Sequence, residues 1–270
     1  MHNILVEPLL ANDVDSIAEL TPNGWNNIVP THKFYTGNDF CYPHKICQNG
    51  TIIGIGTAIS FGTSAWLAHI IVSEEHRNKG YGGTITEYLV KLLTEKYNCK
   101  TISLIATEMG YPVYSKLGFR EVIDYLQYES DTFYDNDPIS PNIEYLKELH
   151  IDSVIDLDER LTGENRRKVI SQYFNDGYIY LVGKEVVGYY LPHLGEGHIL
   201  SENEEAGIEL LKLRLRTAKS VVIPAENSIC RKFLQGLGYK ESVKGKRMAY
   251  GIELPCKLKN MYSRIGGYLG

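Results

Sequence analysis

Ala65-Trp66-Leu67-Ala68-His69-Ile70-Ile71-Val72-Ser73-Glu74-Glu75-His76-Arg77-Asn78-Lys79-Gly80-Tyr81-Gly82-Gly83 is the stretch on which the fold turns. An apolar, β-prone run ends in a short polar turn, and a basic residue and spaced glycines follow. Thr84 to Tyr97 then reads as an amphipathic helix, because Ile85, Leu89, Leu92 and Leu93 fall at helical spacing and give it one face to lie on a sheet. Strand, glycine turn and helix together aim free backbone N–H groups at an anion: the first turn of a helix has unpaired donors and the positive end of the dipole. Glycines at 80, 82 and 83 remove the side chains that would hold a pyrophosphate away from those donors. Arg77 and Lys79 add mobile positive charge at the rim.

Two familiar phosphate loops are excluded. The dinucleotide fingerprint needs glycine where Ile85 stands, and no Gly-Lys-Ser/Thr tripeptide follows these glycines. What remains is Arg-x-x-Gly-x-Gly, Arg77 to Gly82, five residues after Val72. The pattern alone also fits a tight strand-to-helix turn with a solvated Arg and Lys. A second segment adds weight. Thr101 to Ala106 reads as a buried strand, Tyr111 to Phe119 as a short helix with Pro112 in its first turn and Gly118 closing it, and Glu121 to Glu129 as a further strand.

Arg77 to Gly82, followed by Tyr114-x-Lys116-x-Gly118-Phe119, resembles the two acyl-CoA motifs of the GNAT superfamily of N-acyltransferases over roughly residues 1–135. The resemblance implies acetyl-CoA as co-substrate. Backbone groups of Ile70, Ile71 and Val72 would face the acyl group and pantetheine. Arg77, Asn78, Lys79, Gly80, Tyr81, Gly82, Gly83 and Thr84 would form the pyrophosphate cradle, with Thr107 and Tyr111 beside it. Tyr114 would stand by the thioester sulfur as its acid. The bland reading of Tyr114 is an aromatic helix residue packed in the core.

Length and composition agree with this without pointing to it. A chain of 270 residues suits one large or two small domains. A net charge of −5 argues against a general nucleic-acid surface and favours cationic substrates such as amines. Cysteines 41, 47, 99, 230 and 256 form no C-x-x-C pair, so a reduced cytoplasmic setting with no metal is expected rather than a disulfide framework or zinc site. Glu7 interrupts the only apolar run near the start, and no run is long enough to cross a membrane.

Asp131 to Pro141 is acidic and turn-rich and reads as a linker. Beyond it the chain repeats itself. Tyr178 to Val182, the Gly183-Lys184 turn and Val186 to Leu191 form a hairpin like the one around Gln48-Asn49-Gly50. Val221 to Ile223 reads as a strand, Asn227 to Gly236 as a short helix, and Leu237-Gly238-Tyr239 echoes Leu117-Gly118-Phe119. In the second copy Ser201-Glu202-Asn203-Glu204-Glu205 opens the helix Ala206 to Thr217, where carboxylates would repel a pyrophosphate, and Leu234 answers to Tyr114. The whole is similar to two-domain bacterial GNAT proteins with a degraded second domain. Gly24-Trp25-Asn26, Gly163-Glu164-Asn165-Arg166, Ile223-Pro224 with Asn227, and Arg247-Met248 fit that subgroup, although Asn165 stands where Asp is expected. The resemblance implies an α/β (α+β) fold of two tandem GNAT-like domains, each a mixed, mostly antiparallel sheet flanked by helices. Residues 1–135 would be catalytic; residues 142–270 would be degenerate, walling the acceptor cleft.

Amide formation needs a neutral amine, donors for the tetrahedral oxygen and a proton for the thiolate. The base is open. Some relatives carry Glu or His at the positions of Trp66 and Ala68, neither of which takes a proton here. His69 has the opposite strand parity and reads as a hydrogen-bonded histidine under a helix. His32, Tyr35 and His44 lie in a region that often walls the acceptor. Trp25, Asn26, Tyr190 and His193, with Tyr189, are the candidates for lining the acceptor site. The expected activity is N-acetylation of a small-molecule amine by direct attack in a ternary complex, in a chain compatible with a homodimer. The alternative is a non-catalytic acyl-CoA sensor.

Overall fold

The computed structural model describes residues 5–135 and 137–269; Asn136, within the stretch read as a linker, lies outside them. The chain divides into two compact units, Met1–Arg120 with Met248–Glu253, and Glu121–Arg247 with Leu254–Gly270. The division falls ahead of the Asp131 to Pro141 stretch, and residues 248–253 return to the first unit.

In the first unit, β1 (Leu5–Pro8) is followed by α1 (Val29–Thr36), β2 (Cys41–Gln48), β3 (Thr51–Ser60), β4 (Ser64–Val72), α2 (Tyr81–Lys91), β5 (Thr101–Ala106) and α3 (Tyr111–Lys116). The sheet order is β1-β2-β3-β4-β5. Every pairing is antiparallel except β4 with β5. The β2–β3 turn works because Asn49 and Gly50 both take positive φ, 52° and 82°, which two-residue hairpins require. One face of the sheet packs Ile46, Ala58 and Leu67 against Ile85, Leu89 and Leu93. The other packs Ile55 and Ile71 against Val14, Ile17 and Ile28. Covered on both faces, β4 is apolar almost throughout, which is why Trp66 and Ala68 are buried there.

The unit is completed from far along the chain. Met248 is fully buried in its core, the Tyr250 ring packs on Phe119, and Ile252 N–H donates to Lys100 O beside the start of β5.

The second unit repeats the order with β6 (Arg120–Glu129, all but its first residue), β7 (Ile143–Tyr145), α4 (Ile151–Thr162), α5 (Arg167–Ile170), β8 (Tyr178–Val182), β9 (Glu185–Leu191), β10 (His198–Ser201), α6 (Glu204–Leu215), β11 (Ser220–Pro224), α7 (Ser228–Gly236), β12 (Lys240–Gly251, its last residues in the first unit) and β13 (Met261–Ser263). The repeat reaches single hydrogen bonds: Phe119 N–H donates to Tyr114 O and Tyr239 N–H to Leu234 O, both at 3.1 Å. Strand β6 pairs antiparallel with β11. The expected linker is tied into this unit, since Tyr134 is buried in its core and its N–H donates to Leu215 O. The two tandem α/β units, each with mostly antiparallel sheet and flanking helices, match the fold class the sequence implies.

Candidate active site

The parallel β4–β5 pairing covers only Ser64↔Thr101, Ala65↔Ile102 and Trp66↔Ser103. Both strands run on, β4 to Val72 and β5 to Ala106, without pairing to each other. The sheet is therefore split, and the β5-facing edge of β4 from Leu67 onward carries backbone donors and acceptors that the ladder does not use. Such edges persist only when something covers or uses them.

At the open end of the split stands the glycine loop. Asn78 and Gly80 take positive φ, 61° and 88°, and Gly80 is the N-cap of α2 without a side-chain cap. Among the described residues no acceptor meets the backbone N–H groups of residues 78–83. A Cβ on Gly82 would come no nearer than 3.9 Å to Val72 Cγ2, and one on Gly83 no nearer than 3.9 Å to Val113 Cγ1. The protein leaves that space open. This is a nest of donors on a helix dipole, a cradle that fits a pyrophosphate. Lys79 is exposed at its rim. Arg77 departs from expectation: its Nε donates to Val72 O at 3.2 Å and its Nη1 to Glu74. It braces the turn against the strand end rather than moving freely at the rim.

Thr107 shapes the start of α3, its carbonyl accepting from Tyr111 N–H at 2.9 Å. Tyr114 is buried, with its ring edge-on to Phe119. Its hydroxyl has no hydrogen-bond partner among the described residues. Burial pushes its pKa well above the ordinary phenol value, so it stays protonated and keeps a proton to donate.

Strand β4 carries a bulge. Ile55 pairs with Ile71 and Thr57 with Ala68, so His69 and Ile70 together oppose Gly56. His69 has φ 49°. The simple alternation assumed from the sequence therefore fails here, although the expected place of His69 under a helix is right: Tyr35 Oη lies 2.9 Å from its Nδ1. The His32 ring is 5.3 Å away and the Trp25 ring 6.1 Å, edge-on. Three residues picked separately from the sequence thus meet around a fourth. Asn26 is exposed in the same loop as Trp25. His44 is elsewhere, its ring tilted against that of Tyr88 with centroids 5.0 Å apart.

The second unit differs at each of these points. Its helix α6 is capped by Asn203, whose side chain accepts from Ala206 N–H at 3.0 Å. The strand answering to β4 is β10, and it pairs with β13. Arg264 N–H, just after β13, donates to Val222 O of β11 at 3.0 Å. A strand from the chain's own later residues thus lies where the first unit is split. Gly207 makes this fit, since a Cβ there would lie 2.2 Å from the Tyr262 ring. Asn227 caps α7 and donates to Met261 O at 3.0 Å. Arg166 forms a buried two-bond pair with Asp158, which also accepts from Tyr189, and donates to His198 Nε2. His198 Nδ1–H in turn donates to Ser263 O. Arg166 and Asn227, read from the sequence as subgroup markers, are structural; Asn165 is exposed. Of the acceptor candidates here, Tyr189 and Tyr190 are buried inside the unit and only His193 is exposed.

A split sheet opening onto uncapped helix-start amides is an arrangement that can receive an anionic ligand. Residues 13–119 match the sequence model of the acetyltransferase (GNAT) family, and they form a domain of that family. By structure, the chain is similar over its whole length to 97% of a putative acetyltransferase from Pyrococcus horikoshii, with TM-score 0.83 at 16% identity. It also covers 98% of a GCN5-related N-acetyltransferase from Sphaerobacter thermophilus with 94% of its own length, TM-score 0.64, at 12% identity. One from Kribbella flavida gives TM-score 0.60 at 10% identity, with 92% of this chain matched to 71% of that one. These likenesses establish the fold. Among the described residues no helix is long and apolar enough to cross a membrane, and no group of three or more His, Cys, Asp or Glu is placed to hold a metal.

Proposed function

We propose that the chain is an N-acetyltransferase that moves an acetyl group from acetyl-CoA to the amine of a small-molecule acceptor, by direct attack in a ternary complex. The observation that carries this is the split between β4 and β5, opening onto uncapped amides 78–83. Those amides hold the pyrophosphate. The unpaired edge of β4 at Ile70 and Val72 offers backbone groups to the pantetheine and the thioester carbonyl, fixed before reaction and so at no reorganisation cost. Tyr114, protonated by burial, donates to the departing thiolate.

The second unit is, in this reading, a copy that no longer takes acyl-CoA, because Asn203 caps its helix and β13 fills its slot. The test is release of free thiol from acetyl-CoA by the full chain against a panel of primary amines, beside calorimetric binding of acetyl-CoA. Thiol release that depends on an amine supports the reading. Tight binding of one equivalent with no release for any amine would instead make the chain a sensor of acyl-CoA.

A further inference from the structure

We propose that the cavity between β2 and the C-terminal end of α2 binds a small phenolic carboxylate. Lys96 takes the carboxylate, Tyr42, Tyr88 and Tyr97 face the ring, and His44 accepts from the ring hydroxyl. None of these residues belongs to the glycine loop or to the β4–β5 split, so the inference stands apart from the acetyl-transfer reading.

The cavity measures about 380 Å³, at the small end of ligand pockets. Its walls are aromatic. Tyr42 of β2 and Tyr97 stack with centroids 4.2 Å apart and 24° between their planes, and His44 of β2 meets Tyr88 of α2 at 5.0 Å. The helix reaches the cavity through an irregularity, for α2 runs on into a π-helical turn, Leu92–Lys96. In a plain α-helix a row of residues four apart winds slowly round the axis, and a wider i→i+5 turn takes that winding back. Tyr88, Leu92 and Lys96 thereby line one wall together.

Charge and hydrogen bonding select the ligand. The chain carries a net charge of −5, yet among the described residues that line the cavity there is no Asp or Glu, and Lys96 is the only Lys or Arg. The Lys96 ammonium lies 5.3 Å from the centre of the Tyr97 ring and pairs with no carboxylate among the described residues. An aromatic cage without that lysine would suit a cation; with it, the cavity suits an anion. His44 Nδ1–H donates to Tyr42 O at 3.0 Å. Burial, with Lys96 adding to it, lowers the His44 pKa, so the ring is neutral and its Nε2 is an acceptor. A cation and a neutral acceptor with aromatic faces between them match a ring that carries a carboxylate and a hydroxyl.

The experiment titrates the full chain by calorimetry with 4-hydroxyphenylacetate, phenylacetate and 4-ethylphenol. The first should bind saturably, with a dissociation constant of about 1 mM or below. Without the carboxylate, 4-ethylphenol should bind roughly tenfold or more weaker; without the hydroxyl, phenylacetate should bind roughly two- to tenfold weaker. Lys96 is exposed, so Lys96→Gln should leave the melting temperature unchanged. It should weaken 4-hydroxyphenylacetate to the level of 4-ethylphenol, whose own binding it should not alter. Tyr88→Ala should weaken all three, and excess acetyl-CoA should displace none. Absence of saturable binding, binding that Lys96→Gln leaves unchanged, phenylacetate as tight as its hydroxylated partner, or displacement by acetyl-CoA overturns the proposal.

Discussion

Gly82 and Gly207 show how the same residue type serves opposite ends in the two units. The space beside Gly82 is empty of protein, so Gly82→Val should fold normally and lose acetyl-CoA binding by calorimetry, its melting temperature near that of wild type. The full chain should bind one equivalent; two equivalents would mean that the second slot is open after all. Gly207 is the reverse. Its α-carbon lies under the Tyr262 ring, so Gly207→Ala should leave binding in the first unit alone and destabilise the protein by about 1–3 kcal/mol, the usual cost of overpacking, as read from denaturant melts. Tyr114→Phe removes one buried hydroxyl that makes no hydrogen bond to a described residue. Acetyl-CoA affinity should hold, and kcat should drop by roughly 10²–10⁴-fold if thiolate departure limits turnover. An unchanged kcat under saturating amine would leave the hydroxyl without a chemical role.

At the scale of elements, what could be read from the chain was whatever repeats locally. The β4–loop–α2 segment, the two hairpins at Asn49-Gly50 and Gly183-Lys184, and the paired Leu-Gly endings of α3 and α7 announce themselves by periodicity and by residues that accept positive φ. Three features did not. The bulge at His69 is a matter of register, and register belongs to the pairing with β3 rather than to β4 alone. Strand β13 is three residues long, too short for any alternation to show, and its place beside β10 is set by Asn227, His198 and Arg264. The burial of Tyr189 and Tyr190 together follows because both faces of β9 are covered, which a period of two cannot foretell. The uncapped glycine loop between β4 and α2 was therefore legible, since glycines in a strand-to-helix turn carry their own geometry. The grouping of Trp25, Tyr35 and His69 was not, since they come together only through tertiary packing.

For the whole molecule, the assignment of residues 248–253 to the first unit changes what a truncation means. From the sequence, an isolated first half should bind acetyl-CoA and acetylate poorly. A chain ending at residue 135 would lack Met248 from its core, Tyr250 from Phe119 and Ile252 from the start of β5. It should instead unfold or aggregate, with thermal melts losing their cooperative transition, and adding residues 248–253 through a linker after position 135 should recover binding. Acid is the second whole-molecule lever. His198 is fully buried, and desolvation, with Arg166 next, holds its pKa well below the ordinary value; His32 and His44 are lowered by burial too. A base depressed in the folded state gives stability that is present above its unfolded pKa, about 6.5, and lost as pH falls, because only the unfolded chain can take the proton. Melting temperature should be flat from about pH 8 to pH 7 and decline steadily below about pH 6.5. His198→Gln would flatten the decline if it folds.

The shared strand β12 also fixes an order of events during synthesis. A ribosome delivers residue 120 long before residue 253, and at roughly 5–20 residues per second the interval is on the order of ten seconds. Throughout it, the first unit is held with an unfilled core position at Met248 and an uncovered edge on β5. Most N-terminal domains close as soon as they leave the exit tunnel; this one has to wait for its partner's last long strand. Nascent chains stalled before residue 248 should accordingly be sensitive to protease and bound by holding chaperones, and those stalled far enough beyond residue 253 for the strand to emerge should be neither.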